Sequence, residues 1–131
     1  MMVAHRPFIF DQDGSLLDPG LIDNWHYYIN GYEYQMTELK ILVEKIRSNY
    51  SAESQPVIII QADHGARNTG SRTHPENLLE DYPAENMFKI LNLLYLPGFK
   101  YDTLQPDMDP INTFPVIFNL YFNSGLPLVE Q

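Results

Sequence analysis

Four β-branched residues in a row, Val57-Ile58-Ile59-Ile60, run directly into Gln61-Ala62-Asp63-His64-Gly65. So apolar a run, opened by the loop signal Ser54-Gln55-Pro56, predicts a central strand covered on both faces, and therefore a sheet with helices packed on it. The fold class read from it is α/β. In open α/β sheets ligands sit beyond the carboxyl ends of the strands, so Asp63 and His64 stand where chemistry is usually done. Gly65 lets the backbone turn away at once.

The rest of the chain supplies partners for that strand. Pro7-Phe8-Ile9-Phe10 predicts a short strand closed by Asp11-Gln12-Asp13-Gly14, residues that hydrogen-bond their own backbone or accept positive φ. Leu21 to Tyr50 predicts a long helix, because Tyr32, Met36, Leu39, Val43, Ile46 and Tyr50 recur at spacings of four and three. Gly31 marks a kink in it or its start. The opposite face carries Glu33, Glu38, Lys40, Glu44, Lys45 and Arg47 and reads as solvated. A polar stretch from Gly65 to about Glu85 is long for a loop, and long loops at strand ends are often functional. Lys89 to Leu96 predicts another interior strand stopped by Pro97-Gly98. The last element is a helix beginning at Asn112, a good N-cap, with Pro115 tolerated in its first turn and Gly125 and Pro127 ending it.

A chain of 131 residues with 44% hydrophobic residues is expected to form one domain, residues 1–131, around a single core. Seventeen acidic against eight basic residues give a formal charge of -9, which repels nucleic acid backbones and anionic membrane surfaces, so nucleic acid is not an expected partner. An anionic substrate meets the same repulsion unless a bound cation reverses the local field. No cysteine is present, which excludes disulfides, thiolate metal sites and thiol nucleophiles. No apolar run approaches the roughly 20 residues that span a bilayer, so no membrane segment is expected.

That field argument directs attention to metal ligands. Asp63 offers a hard oxygen and His64 an imidazole suited to zinc, manganese or iron, although an Asp and a Gly after a strand are also ordinary turn residues. Two ligands do not complete a shell, since even a catalytic zinc takes about three protein ligands. The other histidines differ in promise. His26 sits between Trp25 and Tyr27 at helical spacing and reads as a packed or surface residue. His5 precedes the first strand, and reaches the site only if that strand runs antiparallel to the central one. His74 lies in the loop that leaves the same strand end, so a return to the site is sterically feasible, while solvent exposure is the commoner fate of a loop histidine. Arg67 and Arg72 in that loop are either anion contacts or surface charges. Ser15, Ser71 and Thr69 have no recognisable nucleophile setting.

Taken together, Ala62-Asp63-His64-Gly65 after a hydrophobic strand, His5-Arg6-Pro7-Phe8 upstream, Asn92-Leu93-Leu94-Tyr95-Leu96-Pro97-Gly98 downstream, and the ending Pro110-Ile111-Asn112-Thr113-Phe114 through Asn119-Leu120-Tyr121-Phe122 resemble the C-terminal part of bacterial sulfatase-like hydrolases and transferases of the alkaline phosphatase superfamily. The similarity covers nearly the whole chain. No single motif is specific, but four in order are more so than a lone Asp-His-Gly. The resemblance implies a small mixed sheet with helices on it, and a metal-dependent enzyme acting on sulfate or phosphate esters. Asp63 and His64 would be ligands of a divalent ion (Mn, Zn, Ca or Mg), and His5, in a His-x-Pro motif, would contact the anionic group or leaving oxygen. His74 falls where some relatives place another site histidine. In that family the nucleophile and the remaining acidic ligands precede the His-x-Pro motif, so this chain is expected to be a segment of a larger catalytic domain carrying part of the site. Ala66 stands where many sulfatases have an acidic residue. The alternative expectation is a noncatalytic half-domain that binds a partner or forms a homodimer through an unpaired sheet edge.

Overall fold

A computed structural model describes residues 8–18, 26–65, 88–99, 101–105 and 107–130. Among them the chain forms helix α1 (His26–Ser48), strand β1 (Ile58–Gln61), strand β2 (Asn92–Tyr95) and helix α2 (Thr113–Phe122), with single 3-10 turns at Ala52–Ser54, Tyr101–Thr103 and Pro110–Asn112. The class is mixed α and β, as the β-branched run and the helical spacing imply. Two compact units are distinguished, one from the described parts of 1–55 and 61–91, the other from those of 56–60 and 92–131.

In the first unit a tight hairpin is laid on α1. The turn Asp11–Gly14 closes as its composition predicts: the Gly14 N–H donates to the Asp11 carbonyl (3.0 Å), the Asp11 N–H to the Ser15 carbonyl (2.9 Å), and Phe10 bridges to Leu16. Gly14 has φ +83°, a backbone region that glycine enters without cost. The carboxylates are used locally, Asp13 accepting from the Ser15 N–H (2.9 Å) and Asp11 from the Gln12 N–H and from Asn30 Nδ2 on α1, both 2.7 Å. Phe8 is buried and meets Tyr28 edge-on at 5.7 Å, while Phe10 packs on Tyr34 at 5.3 Å. Such pairs add about 0.5–1.5 kcal/mol beyond the area they bury.

Helix α1 differs from the expected span of 21–50 in its last residues, ending at Ser48, and residues 21–25 lie outside the described set. Gly31 neither kinks nor starts it. The helix runs on through Gly31, which is buried; a Cβ there would lie 3.3 Å from the Phe10 carbonyl oxygen, so the glycine lets the hairpin backbone approach. Tyr32, Met36, Leu39, Val43 and Ile46 are half-buried, and Gln35 is the other buried position. Lys45 and Arg47 occupy the last turn, where cations complement the helix dipole. The amide nitrogen of Gln55 then reaches the carbonyls of Arg47, Tyr50 and Ser51 at 3.1–3.2 Å and covers the open carbonyl end.

In the second unit β1 and β2 pair as a two-stranded sheet. The Ala62 N–H, in the described part of 61–91, donates to the Leu91 carbonyl (2.9 Å), so the end of one strand meets the start of the other and the pair is antiparallel. β1 is one residue displaced from the expected 57–60, and β2 is shorter than the expected 89–96. Covering on both faces is not observed among the described residues: Ile58, Ile59 and Ile60 are half-buried, as a two-stranded ribbon allows. Pro97-Gly98 does stop β2. Gly98 has φ +83° and the Phe99 N–H returns to the Leu96 carbonyl (3.3 Å), the geometry of a type II turn with Pro second and Gly third. Leu96, 2% exposed, is the most enclosed apolar side chain of the described core, and its N–H donates to the Tyr101 hydroxyl (2.7 Å). The Tyr121 hydroxyl donates to the Pro97 carbonyl (2.9 Å), and its ring meets Phe99 edge-on at 4.5 Å, tying α2 to the turn.

Helix α2 starts where expected but is capped differently. Asp109 accepts from the Ile111 N–H (3.0 Å) and begins the 3-10 turn, whereas the Asn112 side chain makes no cap. Pro115 sits among the first residues, where no intrahelical N–H is required. Asn123, φ 51°, closes the helix in left-handed conformation, its N–H bonded to the Asn119 carbonyl (3.1 Å). Thr113 and Ile117 are buried, while Phe114, Phe118 and Phe122 form an exposed ladder one turn apart.

Candidate metal centre at the end of β1

Asp63 and His64 follow β1 by two and three residues. On a continuing strand adjacent side chains would point to opposite faces. Here the chain bends at both residues, and the two side chains come together: His64 Nε2 is 3.8 Å from Asp63 Oδ1. The bend is possible because Ala62 keeps the last ladder bond, to Leu91, and Gly65 behind it is buried.

The imidazole is oriented by its other nitrogen. Nδ1 lies 2.7 Å from the Gly65 carbonyl oxygen. A carbonyl only accepts, so the proton of the neutral ring sits on Nδ1 and the lone pair on Nε2 faces Asp63. This is the arrangement in which histidines bind metals, one ring nitrogen anchored and the other free. Two donors each about 2.0–2.2 Å from a zinc-sized ion stand roughly 3.4 Å apart at a tetrahedral angle and no more than about 4.3 Å apart in line. The observed 3.8 Å lies within that span. Asp63 has a side chain 90% exposed and His64 37% exposed, so solvent screens the contact.

The donor pair therefore fits a divalent cation as two of its ligands. Among the described residues no group of three or more His, Cys, Asp or Glu side chains is placed to hold one. Asp11 and Asp13 are committed to the hairpin turn. His26 is exposed and edge-on to Tyr27 at 5.7 Å, as a surface histidine would be. His5 and His74, together with Arg67, Arg72 and Ala66, lie outside the described residues.

A cavity of about 740 Å³ opens within the second unit, lined among others by Leu104, Met108, Asn112, Val116, Leu120 and Val129. Neither Asp63 nor His64 lines it. Its wall includes Asn112. Asn112, read as a helix cap, is buried, and its amide exchanges two hydrogen bonds with the Val129 backbone; Asn119 does the same with Leu126. The only signal in the sequence is two asparagines seven positions apart ahead of a proline-containing tail. No helix among the described residues is long and apolar enough to cross a membrane. Comparison with family models, curated proteins and solved structures finds no match to this chain.

Proposed function

We propose that this chain carries part of the active centre of a metal-dependent hydrolase or transferase acting on sulfate or phosphate esters, with Asp63 and His64 as two ligands of a divalent cation. The observation that carries the reading is the anchored imidazole: Nδ1 held by the Gly65 carbonyl, Nε2 turned to the Asp63 carboxylate at 3.8 Å. The order of motifs, which resembles that of sulfatase-like enzymes, is what suggests the ester class, and on the same resemblance His5 and His74 would be the substrate-facing histidines. A bound cation would neutralise charge on the ester oxygens and offset the field of a protein with net charge -9. Asp63 and His64 would hold it, and the Gly65 carbonyl would keep the ring from rotating.

Calorimetric titration with manganese, zinc, calcium and magnesium tests the reading. The wild-type chain is expected to bind at least one of them, and Asp63→Ala and His64→Ala to weaken that binding at least tenfold. Absence of binding, or equal binding by all three proteins, overturns it.

A second reading, a noncatalytic module that pairs with a copy of itself, is favoured by β1 and β2 each having one strand neighbour among the described residues, which leaves an open edge on both. Sedimentation equilibrium of the wild type against Leu94→Pro separates the two: with Ala62 paired to Leu91, the Leu94 N–H faces away from β1, so its loss affects only a dimer paired through the β2 edge.

A further inference from the structure

The segment after α2 is held to the helix by side chains that read only backbone. Asn119 Nδ2 donates to the Leu126 carbonyl (2.9 Å) and the Leu126 N–H donates to Asn119 Oδ1 (2.7 Å). Asn112 repeats the ring at Val129, with Nδ2 on the carbonyl (3.0 Å) and Oδ1 receiving the N–H (2.8 Å). Each amide thus imitates the neighbouring strand of an antiparallel ladder. The spacing is commensurate: seven helical residues advance about 10.5 Å and three extended residues about 10 Å, so asparagines at 112 and 119 match backbone groups at 129 and 126. The tail runs antiparallel to the helix.

Nothing in this clamp depends on which side chains the tail carries. Leu126, Leu128 and Val129 remain 40–54% exposed, so apolar burial holds them only in part. Pro127 biases Leu126 toward extended backbone and has no N–H of its own, and the clamp makes no use of an N–H at that position. The return is made by Asn123 (φ 51°) and Gly125 (φ 64°), with the Ser124 hydroxyl on the Phe118 carbonyl (3.1 Å), a short hinge outside the clamp. Leu128 and Val129 of the tail, with Met108, Val116 and Leu120, wall the cavity of about 740 Å³.

We propose that the Asn112–Asn119 face of α2 is a backbone-reading groove for an extended peptide, closed in the isolated chain by its own residues 126–129 and able to take the same segment of a second copy in exchange. A second copy is the occupant because its tail already satisfies the clamp and its register, and exchange of an identical element across a hinge requires no new contact. The proposal is independent of the metal site and of the sheet edge. Within one chain the tethered tail competes at an effective concentration of the order of millimolar, so the groove is expected to admit a free tail poorly until its own is released.

The test uses the full chain and a fluorescein-labelled peptide of residues 124–131. Leu126→Pro with Val129→Pro removes both N–H donors of the resident tail and leaves the asparagines in place. Fluorescence anisotropy is expected to show this variant binding the peptide at least tenfold more tightly than the wild type, and addition of Asn119→Leu to abolish the gain. Equal binding by wild type and variant, or binding that survives Asn119→Leu, overturns the proposal. Should the variant not fold, hydrogen exchange on the wild type decides the clamp itself: slow amides at Leu126 and Val129 with a fast one at Leu128 are expected, and uniformly fast exchange across the tail refutes it.

Discussion

Gly14 and Gly98 have the same φ, +83°, yet they face opposite surroundings. A Cβ at Gly98 would meet nothing within 4 Å, whereas one at Gly14 would lie 2.6 Å from Cε2 and 2.9 Å from Cζ of Tyr34. Gly98→Ala therefore isolates the backbone cost of placing an L-residue in the left-handed region, about 1–2 kcal/mol. Gly14→Ala carries the same cost and must also push the Tyr34 ring aside. That ring packs on Phe10 at 5.3 Å, so displacing it forfeits a pair worth about 0.5–1.5 kcal/mol. The expected total is about 1.5–3.5 kcal/mol. Because Gly14 and Gly98 belong to different units, the steric part is best taken from a double-mutant cycle with Tyr34→Ala, by urea denaturation followed by circular dichroism. Gly14→Ala is expected to cost about 1 kcal/mol less when Tyr34 is already truncated. If its cost is the same in both backgrounds within about 0.5 kcal/mol, the close approach of the turn to Tyr34 does not govern this position.

Two further outcomes follow from the second unit. Leu96→Ala empties the most enclosed apolar site of the described core and is expected to lower stability by about 2–5 kcal/mol, read as a fall in the urea midpoint with unchanged slope. Burial, reinforced by the neighbouring Tyr101 and Tyr95 phenols, raises the pKa of Tyr121 above its ordinary value of 10.0. A raised pKa means that the folded state holds this proton more tightly, so the contribution is complete below pH 10.0 and disappears as pH rises through the folded value. Urea midpoints between pH 8 and about 11 should fall for the wild type and fall less for Tyr121→Phe, which loses the hydrogen bond to Pro97 but has no proton to release. Parallel curves for the two proteins would remove Tyr121 as the cause.

The elements legible in the sequence are those set by near neighbours. The β-branched run, the Pro97-Gly98 stop, the Asp11–Gly14 turn and the start of α2 all depend on residues a few positions apart, and each falls within about a residue or so of expectation. What was not legible is the destination of polar groups and of glycines, because these depend on what arrives from far along the chain. Gly31 has the local signature of a helix break, and only the approach of the Phe10 backbone, twenty-one positions earlier, makes it a contact inside an unbroken helix. Asn112 has the signature of a cap and stands at the N-cap position of α2, yet its side chain makes no capping bond and its amide goes to Val129 instead. The Asp63–His64 pair shows the same division. Asp63 and His64 were identifiable as residues at a strand end, but their identity alone would place two adjacent side chains on opposite faces of an extended chain, where they could not share an ion. The bend after Ala62 converts neighbours in sequence into neighbours in space, and the Gly65 carbonyl holds Nδ1 and leaves Nε2 turned to Asp63. If that carbonyl is the selector, a change that moves the Gly65 backbone should weaken metal binding even though it touches neither ligand, and this separates an oriented site from two exposed side chains that happen to be adjacent.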